Sequence, residues 1–534
     1  MGSTFQGLEI AKRGMSTQQM ALYVTGNNIA NANTPGYSRQ RVNFTETEPY
    51  PPASMNRPQI PGQMGTGVEA GSIQRVREGF LDMQYRNENN KLGYWEARAD
   101  ATAKMQDIMN EPSDNGLSKT MDEFWQSLQD LSTNPENEGA RSVVRQRGLA
   151  VVETFHYLYD SLSQIQQDFG SQIGVTITQI NSLTKQISDI NKQISEIEPH
   201  GYLPNDLYDQ RDRLVDELSK LVNVQVEKVA NGGNSLKIAE GTYNIYLTDS
   251  SGSPILDGSG NKIYLVQGST THTLSLPGGQ DLDGDGVSET PNGPVAQFQV
   301  GSASISATAF SSGKLLGLVE SFGYEDSSGD TKGIYPEMIA HLNDLAYTFG
   351  TIFNEVHKKG YGLDGTTTGV EFFSGLTSTD AAKQITLSSD IDNLSNIAAS
   401  MDKTSGNGSN AINLANVGKM LLSSSSISLV GTTDTLDLAG LSLPLKSGTI
   451  KSNYEGWIGK LGVDGQQAER MKNNSDTLLQ SVEGNRQSVS SVSLDEEMTN
   501  MIKFQHAYNA AARQITAIDE MLDKIINGMG IVGR

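Results

Sequence analysis

The chain has 534 residues, 40 lysines and arginines against 62 aspartates and glutamates, and no cysteine. A formal charge of −22 argues against nucleic acid or an anionic membrane as the main partner, because either calls for a basic face. Without cysteine there can be no disulfide, thiolate zinc site, iron–sulfur cluster or cysteine nucleophile.

The first ~30 residues read as a helix, with Ser3 and Gln6 at capping-box spacing. Leu8, Met15, Leu22 and Ile29 recur every seven residues, but Lys12, Gln19 and Gly26 between them are polar or small. This is half a coiled-coil seam, too weak to hold a helix alone. Pro35-Gly36 stops it. Residues 38–78, rich in proline and glycine, read as extended or loop. Helices are expected over 80–110, 117–131 and 138–197, the last with a kink at Gly170 or Gly174, and over 205–221. Ile180, Leu183, Ile187, Ile190, Ile194 and Ile197 step 3-4-3-4-3, a clean heptad seam. From Val222 the pattern alternates, as in Val224-Gln225-Val226, Leu236-Lys237-Ile238 and Tyr243-Asn244-Ile245, with glycine turns between. This predicts antiparallel β-structure to about residue 330. Helix returns over 334–358. Residues 359–450 are mixed, with a short helix near 411–422, and the chain is helical again from about 456.

The last helix has the strongest grammar. Ser493 and Glu496 form a second capping box, with acids in the first turn. Leu494, Met498, Met501, Tyr508, Ala512, Ile515, Leu522 and Ile526 fit a 4-3 seam interrupted by Gln505 and Asp519. The fold class is therefore multidomain α+β, with terminal helices forming a coiled coil, a long-helix bundle and an inserted antiparallel β domain. The expected division is 1–75 with 490–534 as a terminal assembly domain, 76–221 with 333–489 as a mainly helical domain, and 222–332 as the β insert. Ordering the two ends costs about 1–2 kcal/mol per residue in backbone entropy, which a dozen seam side chains do not offset. Such ends order against further copies, the logic of a polymer subunit.

Catalytic grammar is missing. The histidines (His156, His200, His272, His341, His357, His506) are scattered, and no G-x-S-x-G elbow or phosphate loop occurs. No enzymatic activity is expected. Asp209, Asp212 and Asp216 read as a solvated face beside Arg211 and Arg213. Asp281, Asp283 and Asp285 with Gly286 resemble the start of a calcium loop, but Asn292 stands where a bidentate Glu belongs. A solvated acidic turn is the plainer reading, and no cofactor other than this calcium is expected. No apolar run approaches the ~20 residues of a membrane helix. Lys12 and Arg13 lead into a polar stretch, so no cleaved signal peptide or membrane insertion is expected.

Asn28-Ile29-Ala30-Asn31-Ala32-Asn33-Thr34-Pro35-Gly36-Tyr37-Ser38-Arg39-Gln40 resembles the N-terminal signature of the bacterial flagellar rod, hook and hook-associated proteins. The runs Ser493–Met498 and Phe504–Arg513, with Gln505, resemble their C-terminal signature. Tyr37-Ser38-Arg39-Gln40, Leu128-Gln129-Asp130-Leu131-Ser132-Thr133-Asn134-Pro135, Asn205-Asp206-Leu207 and Asn354-Glu355-Val356-His357 favour the hook-associated branch over hook or rod proteins. The resemblance implies a non-enzymatic subunit of the hook–filament junction. Its partners would be further copies in a ring-like helical assembly, hook protein on one side and a second junction protein on the other. It also implies a location in the extracellular flagellum, reached through the flagellar type III export apparatus, with a chaperone on the C-terminal region before export. Gln505, Asn31 and Asn33 are expected to set register. The rival readings are a hook or rod protein, or a secreted calcium-binding adhesin.

Overall fold

The computed structural model describes all residues except 1–3, 52–53, 56–61, 250, 282–283 and 529–534; Ser3 and Asp283 thus lie outside the described residues. The helices are α1 (Thr4–Ala30), α2 (Gly79–Met109), α3 (Leu117–Thr133), α4 (Glu138–Ile197), α5 (Asn205–Leu221) and α6 (Lys314–Phe322). They continue with α7 (Ile334–Lys359), α8 (Ala381–Gln384), α9 (Ser409–Asn416), α10 (Ile450–Ser490) and α11 (Leu494–Gly528). The chain divides into two compact units. The first holds Met1–Asn90, Ile180–Thr273 and Ser475–Arg534; the second holds Lys91–Gln179 and Leu274–Asn474.

In the first unit α1 and α11 pack together. They run antiparallel: Gly7 lies beside Ile518 late in α11, and Asn28 bonds Glu497 at its start. The proline-rich stretch holds a hairpin, β1 (Gln40–Glu46) with β2 (Val68–Arg75), bulged between Asn43 and Phe44. Ala21, Val24 and Val42 form a small core there, with Ala70, Ile73 and Phe504 against it. The same unit has a four-stranded antiparallel sheet in sequential order: β3 (Val224–Val229), β4 (Thr242–Leu247), β5 (Tyr264–Gln267) and β6 (Thr270–Thr271). Asn191 fastens α4 to it: its Nδ2 donates to Tyr243 O (2.9 Å) and Gly268 O (2.8 Å), and its Oδ1 accepts from Tyr243 N.

The second unit has a three-stranded sheet, β7 (Leu274–Ser275), β8 (Gln297–Val300) and β9 (Ala303–Ser306). Three short ribbons follow: β10 (Tyr324–Glu325) with β11 (Thr331–Lys332), β12 (Phe373–Ser374) with β13 (Thr386–Leu387), and β14 (Ser426–Ser428) with β15 (Thr435–Asp437). Its core is aromatic. Phe124 and Trp125 of α3 meet Phe349 and Phe353 of α7, with Phe372 and Phe373 closing in at 4.9–6.2 Å between ring centroids. Buried amides pin the loops: Asn354 donates to Phe373 O and accepts from Phe372 N and Phe373 N.

Three expectations need correction. The stretch 222–332 forms three sheets divided between the two units, and α6, inside it, is a buried helix rather than a strand. Leu236-Lys237-Ile238 is a turn with Ile238 exposed, because two alternating residues cannot pair a strand alone. Gly170 and Gly174 do not interrupt α4. They are glycine for close approach, since a Cβ there would meet Phe322 at 2.9 Å and Thr290 Oγ1.

Candidate functional site: the terminal helices and their hub

The signature after α1 folds into a hub. Asn31 caps the helix end, its Nδ2 donating to Asn27 O and its Oδ1 accepting from Thr34. Asn33, Thr34, Pro35 and Gly36 are exposed in the turn that follows, with Gly36 at φ +79°. This positive φ is the conformation that favours glycine. Asn28, 1% exposed, uses its whole amide. Its Nδ2 donates to Gln40 O (2.8 Å) and Glu497 Oε2 (3.1 Å); its Oδ1 accepts from Tyr37 OH (2.9 Å) and Gln40 N (3.0 Å). Burial, then the charges of Asp206, Asp209 and Glu497, hold the Tyr37 phenol well above its ordinary range, so it stays a donor. Ser38 N donates to Asp209 Oδ2.

Arg39 reaches α11. Its Nε donates to Glu497 Oε1 (2.8 Å) and its guanidinium to Glu496 Oε2 (2.6 Å). Only half of the second capping box therefore forms. Ser493 Oγ accepts from Glu496 N at 3.4 Å, while the Glu496 carboxylate pairs with Arg39. Glu497 is 2% exposed and carries the N-terminal signature onto the C-terminal helix. Asn28→Asp should place a second carboxylate against Glu497 and strand Gln40 O, at a cost of about 2–3 kcal/mol. Limited proteolysis checks this: both terminal helices should be cut sooner than in the parent chain.

Behind the hub lies a buried ion network. Asp209, Asp212 and Asp216 are 7%, 2% and 9% exposed, not a solvated face. Arg75 pairs with Asp209 (2.6 Å), Asp212 (3.0 Å) and Glu240; Arg86 with Asp212 and Asp216; Arg486 of α10 with Asp216. Despite burial, the arginines Arg77, Arg75, Arg86 and Arg211 hold the Asp212 carboxyl well below the usual carboxylate range. Helical spacing placed these acids on one face. What a single helix does not reveal is that Arg75, Arg77, Arg86 and Arg486, all distant in sequence, converge on that face.

The seam positions behave differently from expectation. Leu8, Met15, Leu22 and Ile29 are half-buried, whereas Ala21, Val24 and Asn28 are buried. On α11 the half-buried line is Met501, Phe504, Tyr508, Ala511, Ile515, Ile518 and Leu522, a 3-4 repeat. It shares every seventh residue with the expected seam but replaces Gln505 and Asp519 with Phe504 and Ile518. Gln505 is exposed, as are Leu494, Met498 and Ile526, while Ala512 is half-buried. Nothing in the chain's own fold gives Gln505 a register role. Choosing the line that avoids polar intruders would have found Phe504, whose ring meets Phe44 edge-on at 5.9 Å.

The acidic loop is a self-contained turn among the described residues. Asp281 Oδ1 and Oδ2 accept from Gly284 N and Gly286 N, and Asp285 Oδ1 accepts from Val287 N. Oxygens of Asp281, Asp285 and Glu289 lie within 4.8 Å of one another and could face one hard cation. Asp281, however, already binds backbone amides through both oxygens. Calorimetric titration should show no saturable heat up to about 1 mM calcium; saturation would make the loop an ion site. No helix among the described residues is long and apolar enough to cross a membrane.

A family model described as flagella basal body rod protein matches residues 8–37, and one described as flagellar basal body rod FlgEFG protein C-terminal matches 484–528. A third, flagellar hook-associated protein FlgK helical domain, matches 102–373. The chain is 43% identical to flagellar hook-associated protein 1 of Bacillus subtilis strain 168, covering all of both chains. It is 26% identical to the protein of that name from Escherichia coli K12, covering 97% of this chain and 98% of that one. The solved structure titled flagellar hook junction protein FlgK from Burkholderia pseudomallei shares the fold, with a TM-score of 0.55 at 15% identity, over 76% of this chain and all of that one. Rod-type signatures at both ends, closed on one hub, define an axial protein of the bacterial flagellum. The helical domain and the full-length relative narrow this further: the chain belongs to the flagellar hook-associated protein 1 (FlgK) family.

Proposed function

We propose that the chain is a non-enzymatic structural subunit of the hook–filament junction, polymerising through its terminal helices. The observation that carries this reading is the double use of α11. One stripe is spent on α1, while Leu494, Met498 and Ile502, then Met521, Ile525 and Ile526, stay 43–71% exposed. Covering each on a further copy returns about 1.5–3 kcal/mol. The remaining partners are hook protein on one side and a second junction protein on the other. Export proceeds through the flagellar type III apparatus, and a chaperone covers α11 until then. A chain without cysteine has no cross-link to undo on the way.

Ile502→Asp and Ile525→Asp test this. Each should cut incorporation onto isolated hooks by at least about tenfold, while monomer stability moves by no more than about 0.5 kcal/mol, as for surface sites. Ile515→Asp should instead loosen the α1–α11 pair within the monomer. Normal incorporation of Ile502→Asp and Ile525→Asp would end the terminal-helix reading.

A further inference from the structure

The methionines segregate. In the second unit Met105, Met109, Met121, Met338, Met401 and Met420 are buried, the first two at 1% and 2% exposure, and Met471 is half-buried. In the first unit no described methionine is buried. Met15 and Met501 are half-buried; Met20 of α1 and Met498 and Met521 of α11 are 42%, 58% and 50% exposed, and Met55, Met64 and Met83, outside the terminal helices, are exposed as well. Two of these thioethers stand among the apolar side chains left exposed near the two ends of α11, Met498 beside Leu494 and Ile502 and Met521 beside Ile525. With no cysteine, thioethers are the most easily oxidised side chains the protein offers.

We propose that oxidation of Met498 and Met521, with Met20, switches off assembly of the free subunit; this rests on the terminal-helix reading above. A peroxide is the co-reactant. The thioether sulfur attacks one peroxide oxygen, the S–O bond forms as the O–O bond breaks, and the transferred hydroxyl gives its proton to the departing oxygen. Water leaves, the sulfur is oxidised by two electrons and the peroxide is reduced. The product is a polar, chiral sulfoxide where an apolar contact is needed. Burying it against a neighbour without a donor opposes packing. Once a neighbour covers these side chains, the same sulfurs are out of reach, so the polymer resists an oxidant that disables the monomer.

The test begins with hydrogen peroxide on the purified full chain and mass-spectrometric mapping over time. Met20, Met498 and Met521 should form sulfoxide at least about tenfold faster than Met105 and Met109. Uniform rates would overturn the proposal whether or not the chain polymerises. Oxidised chain should lose about tenfold or more of its incorporation onto isolated hooks, and methionine sulfoxide reductases of both stereospecificities should restore it. The M20L/M498L/M521L variant, measured against its own untreated level, should lose little on oxidation. Full incorporation of oxidised chain, or an equal loss in that variant, would sink the idea. Failure of untreated chain to incorporate would instead count against the terminal-helix reading, and the mapping would still judge the site.

Discussion

Asp212→Ala should destabilise the first unit by about 3–5 kcal/mol, the range for breaking a buried ion pair from one side. The Asp212 side chain is 3% exposed and faces Arg75 at 3.0 Å, Arg86 at 3.2 Å and Arg77 at 3.5 Å. Tyr243 OH also donates to it, at 3.1 Å. Removing the carboxylate leaves three guanidiniums mutually repelling in a site that cannot hydrate them. The exposed pair Lys451–Asp122, whose side chains are 42% and 46% exposed, sets the contrast. Asp122→Ala should cost under about 1 kcal/mol, because water screens such a pair. The readout separates the units. The three tryptophans, Trp95, Trp125 and Trp457, all belong to the second unit. Urea unfolding of Asp212→Ala followed by circular dichroism should therefore show an early loss of helix and sheet while tryptophan fluorescence keeps its midpoint. Coincident shifts in both signals would mean that the network stabilises the chain as a whole.

That network also marks where sequence reading stopped. In α4, Ile180, Leu183, Ile187, Ile190 and Ile194 are all at most 5% exposed, so a seam packed within its own chain was legible from spacing alone. On α11 the same arithmetic left two lines sharing Met501, Tyr508, Ile515 and Leu522. Spacing cannot say which side faces α1 and which stays open. Asn28 showed only as part of a signature, because its bond to Glu497 depends on tertiary approach across more than 450 residues. Residues 359–450 have no period because buried amides, not repeated apolar faces, set them. Asn410 Nδ2, for instance, donates to Ala398 O and to Val356 O.

His357 should make the second unit acid-sensitive well above the range in which carboxylates titrate. Its ring is fully buried. Nδ1 donates to Val370 O at 2.8 Å, which leaves Nε2 to accept from Ala398 N at 2.9 Å. A proton on Nε2 would oppose that amide in an apolar site beside Phe353 and Phe372. Burial, and the nearby charge of Arg141, push the His357 pKa down from 6.5 to about 4, although the bond to Val370 acts the other way. The unfolded chain protonates this histidine below its ordinary value while the folded chain does not. Stability from His357 is thus complete above about pH 6.5 and is lost as the pH falls towards 4. At ~1.36 kcal/mol per unit the loss comes to about 3 kcal/mol. Tryptophan-detected urea unfolding at pH 7.5 and pH 4.5 measures it. His357→Gln keeps a donor and an acceptor but cannot titrate, so it should lower stability at neutral pH and flatten the dependence between pH 6.5 and 4. A variant that keeps the full slope would show that other groups carry it, and that the neutral ring is only a packed pin.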